Sequence, residues 1–114
     1  MTYQEINQLI ESFGLPSAYY SFPENDAPPL PFIVFYYPEY NDLGADNINY
    51  QEIADLVIEL YTENKDFELE KSIEQKLTEQ GLYFDKSQTY IKAERMYEVI
   101  YQFEIVIEEG VNNG

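Results

Sequence analysis

The chain contains no cysteine and no histidine. Those two absences remove thiolate nucleophiles, Cys/His zinc sites and imidazole acid–base chemistry together, so most routine enzyme mechanisms lose their central residue. Cations are nearly as scarce: 6 lysines and arginines stand against 22 acidic residues, a formal net charge of −16. No lysine or arginine precedes Lys65, while acidic residues run along the whole length. Such a balance argues against gripping a phosphate backbone, which requires a cationic face, and against anionic membranes. Residues 1–20 lack a basic stretch followed by an apolar run, and no window approaches the roughly 20 apolar residues of a membrane span. The expectation is a soluble protein without a secretion signal. There is also no GxSxG, no glycine-rich phosphate loop and no HExxH, so neither an enzyme nor a cofactor or metal site is expected.

Aromatics are plentiful, 17% of the chain with 12 tyrosines. That separates it from acidic disordered chains, which are aromatic-poor. At 114 residues it is read as a single α+β domain over residues 1–109 with a frayed tail at 110–114. A domain of that size buries about two-thirds of the surface its unfolded form exposes.

The stretch Glu94–Glu109 organises the rest. Taken in steps of two, Tyr97, Val99, Tyr101, Phe103, Ile105 and Ile107 share one face of a strand, and Glu98, Gln102, Glu104 and Glu108 share the other. Ile100 and Val106 interrupt the polar face, which marks them as candidate contacts to a partner. A strand this long and apolar needs paired neighbours and a covering layer.

Thr2-Tyr3-Gln4-Glu5 has the form of a capping box, and Ile6, Leu9, Ile10 and Phe13 follow at helical spacing, predicting a first helix over Tyr3–Phe13. Ala18–Phe22 is aromatic enough for a short strand. Residues 23–31 (PENDAPPLP) hold four of the six prolines and read as a fixed loop. Without a flanking cation, Pro28-Pro29-Leu30-Pro31 reads as a rigid lead-in to the next strand rather than a polyproline ligand. Phe32–Tyr37 is continuously apolar, as in a strand covered on both faces. Glu39–Asn49 reads as a polar loop. Tyr50–Thr62 fits a helix or a strand. Strand is preferred, because a helix would align Glu52, Asp55, Glu59 and Glu63 without a basic partner and because VIELYT is β-rich. Asp66 is a suitable N-cap for a second helix ending near Gln80, with Leu69, Ile73 and Leu77 inward and Gly81 past its end. A strand then opens at Leu82–Phe84 and reaches Ile91. Both helices hand over to a strand through Gly-Leu, which suits two ordinary helix ends as well as a duplication.

The resulting order is α-β-β-β-α-β-β, and its short connections favour an antiparallel sheet with two helices packed on one face. Tyr36, Tyr37 and Tyr40, beside the proline loop, are candidate interface residues, with core packing the equal alternative. Glu39, Asp42 and Asp46 miss the calcium-loop spacing and are put down to general acidity.

Four segments carry a resemblance. Ala27-Pro28-Pro29-Leu30-Pro31-Phe32-Ile33-Val34 leads to a Pro-x-x-Asn loop; Ile58-Glu59-Leu60-Tyr61-Thr62-Glu63-Asn64-Lys65-Asp66 precedes a helix; Glu94-x-x-Tyr97-Glu98-Val99-Ile100-Tyr101 follows it. Together these resemble a family of small proteins of phages and prophages of Gram-positive bacteria, encoded near the major tail protein and regarded as tail components or tail-terminator-like. The resemblance spans roughly residues 2–109 and implies that Asp55–Thr62 is a strand. The element order is likewise similar to that of siphophage tail terminators. What the resemblance implies is a virion structural and assembly protein, a tail terminator or head–tail joining component. It would form a homo-oligomeric ring, commonly a hexamer, meeting tail-tube protein on one side and the head-side connector on the other. It would reside in the virion, and in the host cytoplasm during assembly.

The family has no catalytic motif, so no site residue is transferred. The missing cations in the first half depart from a simple terminator, and contacts would then be aromatic or would use basic residues of the partner. A carboxylate-lined lumen would let DNA pass without specific binding, and a solvated acidic surface accounts for the charge equally well. From another class, the acidity also suits a DNA mimic or inhibitor that occupies a host nucleic-acid-binding protein.

Overall fold

A computed structural model describes residues 1–23, 25–38, 40–42 (as backbone) and 52–108. Helix α1 spans Tyr3–Glu11, and strands β1 (Ser17–Tyr19), β2 (Phe32–Tyr36), β3 (Tyr40–Asp42) and β4 (Glu52–Thr62) follow. Helix α2 (Phe67–Glu79) and the hairpin strands β5 (Asp85–Ile91) and β6 (Met96–Ile107) complete the chain. The sheet runs β1-β2-β4-β6-β5, with β3 paired to β4.

The capping box forms as expected. The Thr2 hydroxyl accepts from the Glu5 amide at 3.1 Å, and the Glu5 carboxylate accepts from the Thr2 amide at 2.8 Å. Helix α1 stops two residues before the expected Phe13, because Phe13 and Gly14 donate to carbonyls three residues back, tightening the last turn. Gly14 then takes φ +81°, a left-handed conformation that glycine adopts without a steric penalty. In α2 the Asp66 carboxylate accepts from the Leu69 amide at 3.0 Å, as an N-cap should.

The Tyr50–Thr62 ambiguity resolves to strand over Glu52–Thr62. All eleven residues of β4 pair antiparallel with β6, from Glu52↔Ile107 to Thr62↔Tyr97. These two strands are the middle of the sheet, and they present Ala54, Leu56, Ile58 and Leu60 beside Val99, Tyr101, Phe103, Ile105 and Ile107 on one face. Ile6, Leu9, Ile10 and Phe13 of the α1 segment and Ile73 and Leu77 of α2 join the same buried cluster. Both helices therefore roof one face of the sheet.

Three expectations are corrected. The sheet is mixed, because β1 pairs parallel to β2 with Ser17↔Ile33 in register. A parallel neighbour needs a crossover of about a dozen residues. The proline-rich residues 20–31 supply one, entering β2 through a cis Leu30–Pro31 bond. Secondly, the polar loop after β2 contains β3, so four strands rather than three lie between the helices. Tyr36 of β2 pairs with Val57 and Tyr40 of β3 with Ala54, so both strands lie along the same edge of β4. Pro38, which cannot donate to the ladder, lies between them. Thirdly, Leu82–Phe84 stay outside the strand. Leu82 and Phe84 pack against the core, and β5 begins at Asp85 with nearly all of its length exposed.

Candidate interface on the open face of the sheet

Alternation along β2, β4 and β6 sends a second set of side chains away from the helices. From the register, Phe32, Val34 and Tyr36 lie beside Tyr61, Glu59 and Val57. Those in turn lie beside Glu98, Ile100 and Gln102, and further along Asp55 faces Glu104 and Ile53 faces Val106. Val34 and Val57 are buried but belong to no part of the helix-covered core cluster. Tyr20 and Phe22 of the crossover fold onto the β2 end of this face, with ring centroids 5.5 Å from Tyr36 and 5.1 Å from Phe32. Over β4 and β6 no helix among the described residues covers it.

A hydrogen-bond cluster sits at its centre. The Tyr36 hydroxyl donates to Glu59 Oε2 at 3.1 Å. The Tyr61 hydroxyl lies 2.7 Å from Glu59 Oε1 and 2.8 Å from Glu98 Oε2. A phenol carries one proton, so Tyr61 satisfies one carboxylate at a time and the cluster holds more acceptors than donors. Burial, with the Glu59 and Glu98 carboxylates beside it, pushes the Tyr61 phenol far above its ordinary range; burial and Glu59 raise Tyr36 in the same sense. Both phenols stay neutral donors at physiological pH.

Asp55 and Glu104 add a second electrostatic feature, since they are direct cross-strand partners of the same sign. Like charges directly opposite on adjacent strands are unfavourable. Among the described residues no ion pair relieves them. None of the six lysines and arginines occupies a strand position of this face: Lys65 precedes α2, Lys71 and Lys76 are within it, Lys86 sits on the helix side of β5 opposite Tyr101, and Lys92 and Arg95 are in the β5–β6 turn. The Met1 ammonium lies at its β6 end, 4.0 Å from Glu108.

The candidate interface residues fall into different places. Tyr36, Ile100 and Val106 share the open face, where Ile100 is half-buried and Val106 is 41% exposed. The Val106 carbonyl accepts from the Met1 amino group at 2.9 Å, which ties down this end of β6. Tyr37 is separated from them. It meets Tyr3 edge-on at 5.3 Å and Tyr19 at 5.9 Å, lining a cleft of about 490 Å³ between α1 and β1. The Tyr40 side chain, the Asp42 side chain, Glu39 and Asp46 lie outside what the structure describes, as does the 110–114 tail. Among the described residues no group of three or more Asp or Glu side chains could hold a metal ion. No helix among them is long and apolar enough to cross a membrane.

Sequence reasoning did not anticipate the ion network beneath α2. Glu70 is 1% exposed, with Lys65 Nζ 2.6 Å from its Oε2 and Lys86 Nζ 2.9 Å from its Oε1. Lys86 also reaches Glu74 at 2.6 Å, and the buried Tyr101 hydroxyl donates to Glu74 at 2.8 Å. Burial pushes the Glu70 carboxyl up, but the two ammonium groups outweigh it and hold it below the usual range. Desolvation lowers Lys86 while Glu74 and Glu70 raise it further, so it ends above its ordinary value. The network is structural: it fixes α2 to β5 and β6.

No family model matches the sequence, and no curated protein matches it.

Proposed function

We propose that the chain is a phage virion structural and assembly protein, a tail terminator or head–tail joining component that assembles with copies of itself at the end of the tail tube. One observation supports the reading beyond the sequence resemblance: the two-layer domain roofs one face of its sheet and leaves the other, with Tyr36, Ile100 and Val106, available to a neighbour. Apolar surface grouped on one side of a small domain is the ordinary mark of an interaction site. The role is mechanical, with no catalytic group assigned, and its partners are a ring of its own copies, tail-tube protein and the head-side connector.

Size-exclusion chromatography with light scattering, run with and without tail-tube protein, tests it. The expected result is a co-eluting complex whose formation is lost on Ile100→Asp or Val106→Asp. Failure to associate with tube protein at any salt concentration would reject the reading. A monomer in the absence of the tube protein would leave it standing, because rings of this kind can form only on their template.

A further inference from the structure

We infer that the open face of the sheet is a docking surface for a lysine- and arginine-bearing protein segment, laid along β4 and β6, and not for the same face of a second copy. The inference uses the interface proposed above but not the tail role assigned to it.

Charge complementarity carries it. At strand positions the face presents Asp55, Glu59, Asp85, Glu98 and Glu104, and none of the chain's six lysines and arginines. The Met1 ammonium lies beyond its strand carboxylates, 4.0 Å from Glu108. The opposite side is handled differently, since its buried carboxylate Glu70 is met by two ammonium groups from within the chain. Among the described residues, the side-chain donors set against Glu59 and Glu98 on the open face are the phenols of Tyr36 and Tyr61. An ammonium brings three donors and a guanidinium five, which would fill the acceptors those phenols leave over. A cation between Asp55 and Glu104 would also turn a repulsive cross-strand pair into a bridged one. Ile53, Ile100 and Val106 beside these carboxylates offer apolar contact to the stems of such side chains, which are apolar up to the charged head.

The same pattern disfavours symmetric self-docking. Two copies meeting through this face would set five carboxylates against five with no lysine or arginine at its strand positions, a like-charge juxtaposition costing several kcal/mol. A basic segment matches instead, and a face of this sign steers such a partner in before contact.

The test is a nuclear magnetic resonance titration of the isotope-labelled full chain with a synthetic peptide alternating lysine and valine, at low and high salt. Amide shifts confined to β4 and β6, weakening with salt and absent with a glutamate–valine peptide, are expected. The variant Asp55→Asn/Glu59→Gln/Glu104→Gln should weaken binding at least about tenfold. A variant with the same change in net charge elsewhere, Glu63→Gln/Glu68→Gln/Glu79→Gln, should bind nearly as the natural protein does. Unfolding curves of both variants establish that they are folded.

Equal weakening by the two variants would overturn the inference, since net charge alone would then account for binding. So would shifts centred on the α1–β1 cleft, the same shifts produced by calcium alone, or dilution-dependent shifts showing a face-to-face dimer. The two proposals fail separately. If the peptide maps to this face while tube protein never binds, only the tail reading falls. If tube protein binds the open-face triple variant as well as the natural chain, only this inference falls.

Discussion

The two faces of the central strands are built from the same alternating residues and meet opposite fates. On the helix side, Leu56, Ile58 and Leu60 of β4 are wholly buried among Ile6, Ile10, Ile73 and Leu77. On the open side, one residue away along the same backbone, Asp55, Glu59 and Tyr61 are half-buried, with no helix among the described residues above them. The charges differ as sharply. A carboxylate on the helix side is paired with lysines; carboxylates on the open side are paired with phenols or with each other. On the helix side the buried carboxylate Glu70 meets its cations within the chain, and on the open side no lysine or arginine among the described residues is paired with a strand carboxylate.

The largest expected effect comes from breaking the completed side. Leu56→Ala removes a fully buried side chain and should cost about 2–5 kcal/mol, read as a fall in the urea midpoint at constant slope. Val106→Ala on the open side should cost only about 0.5 kcal/mol in the isolated protein. Equal losses at the two positions would mean that both faces are covered and would end the comparison.

Next in size is Glu70→Ala, which takes the buried carboxylate from Lys65 and Lys86 and leaves them Gln88 and Glu74. Removing one member of a buried ion pair costs about 3–5 kcal/mol, and the partial exposure of Lys86 places this network toward the lower figure. The pH dependence follows from the directions of the shifts. Glu70 is held below its unfolded value, so its contribution is full above about pH 4.3 and is lost as pH falls through the lower folded value. Lys86 is held above its unfolded value, so its contribution is full below about pH 10.4 and is lost as pH rises through the higher folded value. Urea midpoints followed from neutral pH into acid should therefore fall more steeply for the natural chain than for Glu70→Gln. Parallel acid limbs would show that the pair contributes nothing.

How far these differences could be read from sequence depends on where the controlling interaction lies. Alternation along β6 is local, so Val99, Tyr101 and Phe103 declared their face without help, and Thr2/Glu5 declared a helix start within one turn. The parallel β1–β2 pair was not legible, because strand direction is set by the path of the crossover and no residue within Ala18–Phe22 encodes it. The β3 segment was hidden for a related reason: Tyr40–Asp42 is polar and owes its strand to pairing with Glu52–Ala54. The Glu70 network joins α2, β5 and the turn before α2, and Glu70 in isolation looks like one more surface acid. On the open face, Ile100 and Val106 were visible as interruptions of a polar pattern. The Asp55–Glu104 opposition required the β4–β6 register, and the separation of Tyr37 from Tyr36 followed only once Phe32–Tyr36 was fixed as a strand with two faces.

The smallest effect is the most discriminating for the open side. Glu104→Gln removes one member of the Asp55–Glu104 pair and leaves the side chain's length and hydrogen-bonding reach nearly unchanged. If the opposition is real in the free protein, the substitution should stabilise it by about 0.2–1 kcal/mol at low ionic strength. Salt screens exposed charges, so the gain should shrink toward zero as ionic strength rises. Urea midpoints of the two proteins at low and high salt measure both. A salt-independent gain would point to packing or strand propensity at position 104. No gain at all would mean that solvent already separates the two carboxylates. A gain that fades with salt would show that the fold carries a repulsion it could have avoided with one lysine. The six lysines and arginines of this chain all lie elsewhere, and a cation from a partner would remove the same repulsion on binding.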